Sequence, residues 1–305
     1  VNQILAKYEK SEYSKACHLT INVDGKPLDV LLHETFPNNN FKGLVPTLLD
    51  WLENQEERKV VWDRIESEQK QVVPVLMCPD DIDLYCTIIH AEIEKTKDSV
   101  KWLRIGRDSG DSTNMPYSAG KNVSWFNEIE PMEFDRIEYE KFIFEFKIEI
   151  EKDEIKKQLY FWINRIEGIE NIPPSVKAFH FGILELENEY QVHLVGTDNS
   201  NLSKDDWSFR PSEEYLNLGN NSKKWNQEEI RAIIKDGVEQ VIAKIISPET
   251  FVHHAEYLTT GFEGVRSIKI EQKKTNVFSA TLASNSGIAD DKKSLWIRLK
   301  SWLTN

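Results

Sequence analysis

Three clusters in this sequence carry atoms suited to chemistry. Cys78, Asp80, Asp81, Asp83, Cys86 and His90 fall within one short span. Thiolate, imidazole and carboxylate together form a zinc ligand set. The spacing does not follow a paired CxxC pattern. Cys86 and His90 also read as part of a β run, where alternate side chains share a face. The span therefore reads as structural, with buried thiols and a turn held by Asp80 and Asp81. His253, His254 and Glu256 are a second possible ligand set. Neighbours on an extended segment point to opposite faces, which makes ligation at a single point awkward. The third cluster is His193 with Asp198, Asp205 and Asp206. Paired carboxylates beside an imidazole could serve acid–base catalysis or hold a divalent cation. The plainer reading is a solvated acidic loop, and because the loop ends at Trp207 a recognition surface is favoured over catalysis. Tryptophan is favoured at interface hot spots, and acidic loops suit basic partners. Trp125, beside a polar loop, is a further exposed-aromatic candidate.

Nothing stronger points to catalysis. The sequence has no GxGxxG, no Walker loop, no HExxH and no GxSxG. The expectation is no catalytic residue, no cofactor and no metal. Asp198, Asp205, Asp206, Trp207 and Trp125 remain as partner-binding candidates.

These residues depend on elements the hydrophobic pattern predicts. Val1 to Tyr8 suggests a short helix. Cys17 to Val23 alternates like a strand, Asp24-Gly25 is a hairpin signal, and Leu28 to Leu32 supplies a return strand. Leu44 to Ile65 suggests two consecutive helices, with Trp51 and Trp62 on the apolar stripes. Val72 to Met77, Leu84 to Ile93 and Val100 to Ile105 are short apolar segments, and the last two suggest a hairpin. Residues 108–121 read as an exposed loop. Residues 137–150 fit either a strand or a helix, with helix preferred. A charged stretch, Lys152 to Lys157, marks a boundary near 150, and an apolar stripe from Ile155 to Ile166, which includes Trp162, predicts a helix beyond it. Val176 to Leu186 and Tyr190 to Val195 predict a hairpin. The strongest helix spans 227–246, opened by an Asn226/Glu229 capping box. Ile268 to Ile270 suggests a strand. Residues 275–289 read as a linker, and 290–303 as a terminal amphipathic helix. The expected fold is α/β (α+β) in two domains, 1–150 and 151–305. Each is a small, mostly antiparallel sheet with helices packed on it.

Composition narrows the partner. The chain has 305 residues and a net charge of -13. Residues 1–150 hold 28 acidic and 18 basic side chains, so most of the excess lies there. Such acidity repels phosphate backbones, argues against nucleic acid, and would steer a basic protein into contact. Taken alone, it also reads as a solubility feature. No apolar run is long enough for a membrane span, and Val1 to Lys10 does not read as a secretory signal. Three cysteines make a poor disulfide framework. A cytoplasmic, membrane-free location is expected.

The segments LVPTLLDWLE (44–53), VPVLMCPDDIDLYCTIIHAE (73–92), VKWLRIG (100–106) and VSWFNEIEP (123–131) resemble bacterial immunity proteins that accompany polymorphic toxins of the contact-dependent inhibition and Rhs type. VKAFHFGILELENEYQVHLVGT (176–197) and KDDWSF (204–209), followed by a long helix, are similar in kind. The resemblance implies a cytoplasmic inhibitor of a cognate toxin domain, with no catalytic residues. Charge suggests a basic, nuclease-like toxin, neutralised by occlusion of its active site. Two other readings stay open. One is a hydrolase or transferase using His193 with Asp205 or Asp206. The other is a scaffold or adaptor docking through its terminal helix.

Overall fold

The computed structural model describes residues 1–11, 17–52, 54–110, 115–198, 207–212, 214–244, 250–263 and 265–271. The linker and terminal helix expected over 275–303, with Trp296 and Trp302, lie outside the described residues. So do Asp205 and Asp206.

The chain divides into two compact units, Val1–Ile150 and one beginning at Glu151. In the first, β1 (Ile4–Lys10) pairs antiparallel with β2 (Cys17–Val23), which pairs with β3 (Lys26–Pro27). The expected N-terminal helix is thus a strand, with Ile4 buried opposite Val23. Asp24 (φ 49°) and Gly25 (φ 84°) are the left-handed pair of a tight two-residue hairpin. The return strand ends after two residues. From Leu28 the chain is a helix, α1 (Leu28–Thr35), because Leu28 and Leu32 bury one helical turn apart.

A second sheet runs β4 (Val45–Pro46), β5 (Gln71–Met77), β6 (Ile88–Lys95), β7 (Ser99–Asp108), β8 (Val123–Trp125) in spatial order. Of the two helices expected between 44 and 65, only α2 (Gln55–Glu66) forms. Asn54 caps it by accepting from Glu56 N at 2.8 Å. Upstream, Pro46 takes part in β4, and the chain to Trp51 is turns. β9 (Met132–Asp135) pairs with the start of β7. Residues 137–150 open α3 (Arg136–Ile169), a continuous 34-residue helix with no break at Lys152 to Lys157. Asp135 Oδ1 caps it, accepting from Ile137 N and Glu138 N. Phe142 and Phe146 are buried while Phe144 faces solvent, which is a helical stripe and not strand alternation. These side chains join Trp102, Phe134 and Tyr139 in the first core. Trp51 and Trp62 are only half-buried, and Trp102 takes the central place instead.

In the second unit the sheet order is β12-β11-β10-β13-β14. β10 (Ala178–Glu185), β11 (Tyr190–Thr197) and β12 (Tyr215–Asn217) form an antiparallel meander. α4 (Gln227–Lys244) follows, with the expected capping box. Asn226 Oδ1 accepts from Glu228 N and Glu229 N, and the Glu229 carboxylate accepts from Asn226 N. The chain then passes through α5 (Phe251–His254) and returns as β13 (Tyr257–Phe262), parallel to β10, before β14 (Ile268–Lys269). A parallel return needs a long crossover, here the one containing α4. Gly237 lets α4 approach α3, since a Cβ there would stand 2.7 Å from Leu159 Cδ1. The protein is α+β, with small, mostly antiparallel sheets and helices packed on them. No helix among the described residues is long and apolar enough to cross a membrane.

Candidate partner-binding face

Strand alternation gives the second sheet two unlike faces. Phe179, Phe181 and Ile183 of β10 point into the core. Trp162 of α3 meets Phe181 there edge-on, with ring centres 6.4 Å apart. The intervening residues, His180 and Gly182, belong to the opposite face. Register fills in their neighbours. His180 lies between Val195 and Thr259, Gly182 between His193 and Gly261, and Tyr215 stands across from His193.

The absent side chain of Gly182 makes room for an aromatic stack. A Cβ at Gly182 would stand 2.0 Å from His193 Cε1, so the imidazole lies across the glycine. His193 and His180 ring centres are 6.3 Å apart, and His193 and Tyr215 are 6.0 Å apart. Trp207 stacks on His180 at 5.7 Å with an interplanar angle of 18°. A backbone bridge returns the chain to the sheet beside it. Gly196 N donates to Phe209 O, and Phe209 N donates to Gly196 O. His180 Nδ1 and Thr259 Oγ1 share a hydrogen bond of 2.9 Å. Arg210 pairs with Glu214 at 2.7 Å.

Burial sets the charge state. It pushes His180 down to about 4, with His193 adding to the shift. His193 is lowered by burial, opposed in part by Glu214 and Glu263. Burial also raises the Tyr215 phenol. At neutral pH the face presents uncharged imidazoles, a protonated phenol and an indole. Trp207 is half-buried and Tyr215 is 49% exposed. Such a face can stack on a partner and hydrogen-bond to it.

The candidates from sequence fall as follows. Trp207 and His193 share this face. Asp198 is exposed, just past the end of β11. Trp125 belongs to the first unit, on β8, half-buried with the Arg104 guanidinium 4.3 Å over its ring. His253 and His254 lie on α5 and not on an extended segment. Among the described residues, one group of three potential metal ligands converges, and it is Cys78, Asp81 and Cys86. The thiols, expected to be buried, are not, since Cys86 is exposed and Cys78 half-buried. β6 begins at Ile88, so Cys86 lies in a loop and is exposed, while His90 is buried in the strand. The turn carboxylate is Asp83, accepting from Tyr85 N. Partial desolvation of the sulfur, reinforced by hydrogen bonds to Asp81 and Cys78, pushes the Cys86 thiol up to about 12.

His180, Gly182, Tyr215 and Thr259 were not singled out from sequence. The signal existed in the run FHFGILE, where His180 and Gly182 alternate with Phe179, Phe181 and Ile183. No known protein family, curated protein or solved structure matches the chain.

Proposed function

We propose that this protein is an immunity-type inhibitor. It binds a cognate toxin domain in the cytoplasm and neutralises it by covering the active site. The toxin domain is basic and nuclease-like, since the chain's net charge of -13 favours encounter with a cation-rich surface. Nucleic acid and membrane are not partners in this reading, and the chain is not itself an enzyme.

The observation that supports it most is the His180–His193–Trp207–Tyr215 face, an aromatic patch on the side of the sheet opposite its Phe179–Phe181 core. Stacked, uncharged rings supply contact area at little cost in side-chain entropy, as interface anchors do. Asp198, exposed just past the end of β11, adds a carboxylate to this unit's surface. The resemblance of CPDDID (78–83) and of the tryptophan-bearing segments to immunity proteins points to the same class.

Co-expression with the open reading frame immediately upstream tests the proposal. The expected result is a stable one-to-one complex and relief of the growth defect the toxin domain causes. A monomer with no partner, and no relief of toxicity, overturns it.

A further inference from the structure

A second site lies in the first unit, in the loop between β5 and β6. It is independent of the proposed inhibition. Cys78 Sγ, an Asp81 carboxylate oxygen and Cys86 Sγ all lie within 4.8 Å of one another. The loop that carries them is held at several points. Cys78 N donates to Thr87 O at 3.0 Å, and Ile82 N donates to Cys78 O at 3.2 Å. Leu84 is fully buried. Its N–H donates to the Glu57 carboxylate of α2 at 3.2 Å. Ile82 stands at φ 53°, a conformation β-branched residues rarely adopt, and it reverses the chain between Asp81 and Cys86. Asp81 and Cys86 are exposed and Cys78 is half-buried, so solvent reaches the cluster. No lysine or arginine lies between Cys78 and His90.

We propose that Cys78, Asp81 and Cys86 form a binding site for a thiophilic divalent cation, zinc, with water in the fourth position. Two sulfurs select against calcium and magnesium, which take oxygen ligands. Tetrahedral zinc, with bonds of about 2.3 Å to sulfur and about 2.0–2.2 Å to carboxylate oxygen, needs ligand atoms about 3.5–4 Å apart. The ligand atoms, all within 4.8 Å of one another, would draw together to that spacing on binding the ion. Each thiol releases its proton to solvent as its sulfur–zinc bond forms. The ligand spacing, two residues and then four, is unlike that of zinc-finger pairs. Here a reversal at Ile82 and the anchoring of Leu84 bring the three side chains together.

The full chain, reduced and stripped of metal, can be titrated with Co²⁺. The expected result is a sulfur-to-cobalt charge-transfer absorption in the near ultraviolet that saturates at one equivalent and is displaced by Zn²⁺. Cys78→Ser and Cys86→Ser each abolish one-equivalent binding, whereas Asp81→Asn weakens it and keeps the sulfur absorption. A second measurement needs no variant. Alkylation read by mass spectrometry should find Cys78 and Cys86 protected by Zn²⁺, while exposed Cys17 stays reactive. Three results overturn the site. They are no charge-transfer band at saturating Co²⁺, a band unchanged in the double Cys→Ser variant, or equal labelling of all three cysteines with and without Zn²⁺.

Discussion

The two units both place histidine on a sheet strand, and they use it in opposite ways. In the first, His90 on β6 is 0% exposed. Its Nδ1 stands 3.6 Å from Asp108 Oδ2. The Asp108 carboxylate accepts from Gly110 N and Gly120 N, each at 2.8 Å, and Arg64 donates to Ala119 O at 2.7 Å. That network straps the chain over the imidazole. Gly120, at φ 79°, lies so near that a Cβ there would come within 3.1 Å of His90 Cδ2. In the second unit, His180 and His193 meet Trp207 and a solvent-exposed Tyr215. Burial lowers His90 and His180 alike, each to about 4. Depressed basicity therefore does not by itself mark a histidine as functional. What separates them is the neighbourhood, since His90 lies beneath a strapped loop whereas His180 lies against His193 and the half-buried Trp207, beside the exposed Tyr215.

The comparison can be broken first at two glycines. A Cβ on Gly106 of β7 would meet Ser124 O at 2.5 Å and Trp125 Cα at 2.9 Å, both backbone. The nearest atoms to a Cβ on Gly182 all belong to the His193 ring, a side chain and not backbone. Gly106→Ala is expected to cost about 3 kcal/mol in urea unfolding, and Gly182→Ala about 1 kcal/mol. Gly182→Ala should nevertheless impair partner binding by displacing His193. Equal destabilisation by the two substitutions would contradict the view of the second face as adaptable surface.

Acid separates folded from unfolded at the same histidines. His90 and His180 bind protons less readily in the folded state, so the unfolded chain takes up more protons between its ordinary pKa of about 6.5 and the folded value. Stability is full above about 6.5 and is lost as pH falls towards 4, by on the order of 2–3 kcal/mol for each imidazole. His90→Gln should flatten that slope in chemical denaturation of the first unit between pH 6.5 and 4. An unchanged slope would remove His90 from the account.

A smaller effect is expected at the two half-buried tryptophans, Trp207 and Trp125. Trp207→Ala should weaken toxin binding by about 2 kcal/mol and change stability by less than about 1 kcal/mol, as read by calorimetry and thermal melting. Trp125→Ala should weaken binding less, since Arg104 already covers its ring. The smallest effect belongs to Arg104 itself. Its two hydrogen bonds to Glu92, at 2.8 and 3.2 Å, lie on the surface. Arg104→Ala should cost about 0.5–1 kcal/mol, and less in high salt.

Elements whose signals are local were legible in the sequence. The β6–β7 and β10–β11 hairpins and the Asn226/Glu229 cap each depend on a few adjacent residues. Elements decided by distant partners were not. Ile4 to Lys10 forms a strand because Cys17 to Val23 pairs with it, and β13 is parallel to a strand nearly 80 residues earlier (Ala178 opposite Tyr257). Leu28 to Leu32 reads as a return strand but opens a helix, because an i, i+4 leucine pair inside a short apolar run fits both patterns. The same limit applied to the sites. Trp207 and His193 stood out by type, but Gly182 and Tyr215 acquire meaning only from strand register. The Cys78–Asp81–Cys86 cluster depends on a left-handed Ile82, which no spacing rule reveals.

The proposed inhibition is tested most directly by measuring binding of the product of the open reading frame immediately upstream, the proposed toxin domain, side by side for the wild-type chain and Trp207→Ala. A tight one-to-one complex that relieves toxicity, weakened roughly thirtyfold by the substitution, is the predicted result. No complex, or a complex whose affinity Trp207→Ala leaves unchanged, would contradict it.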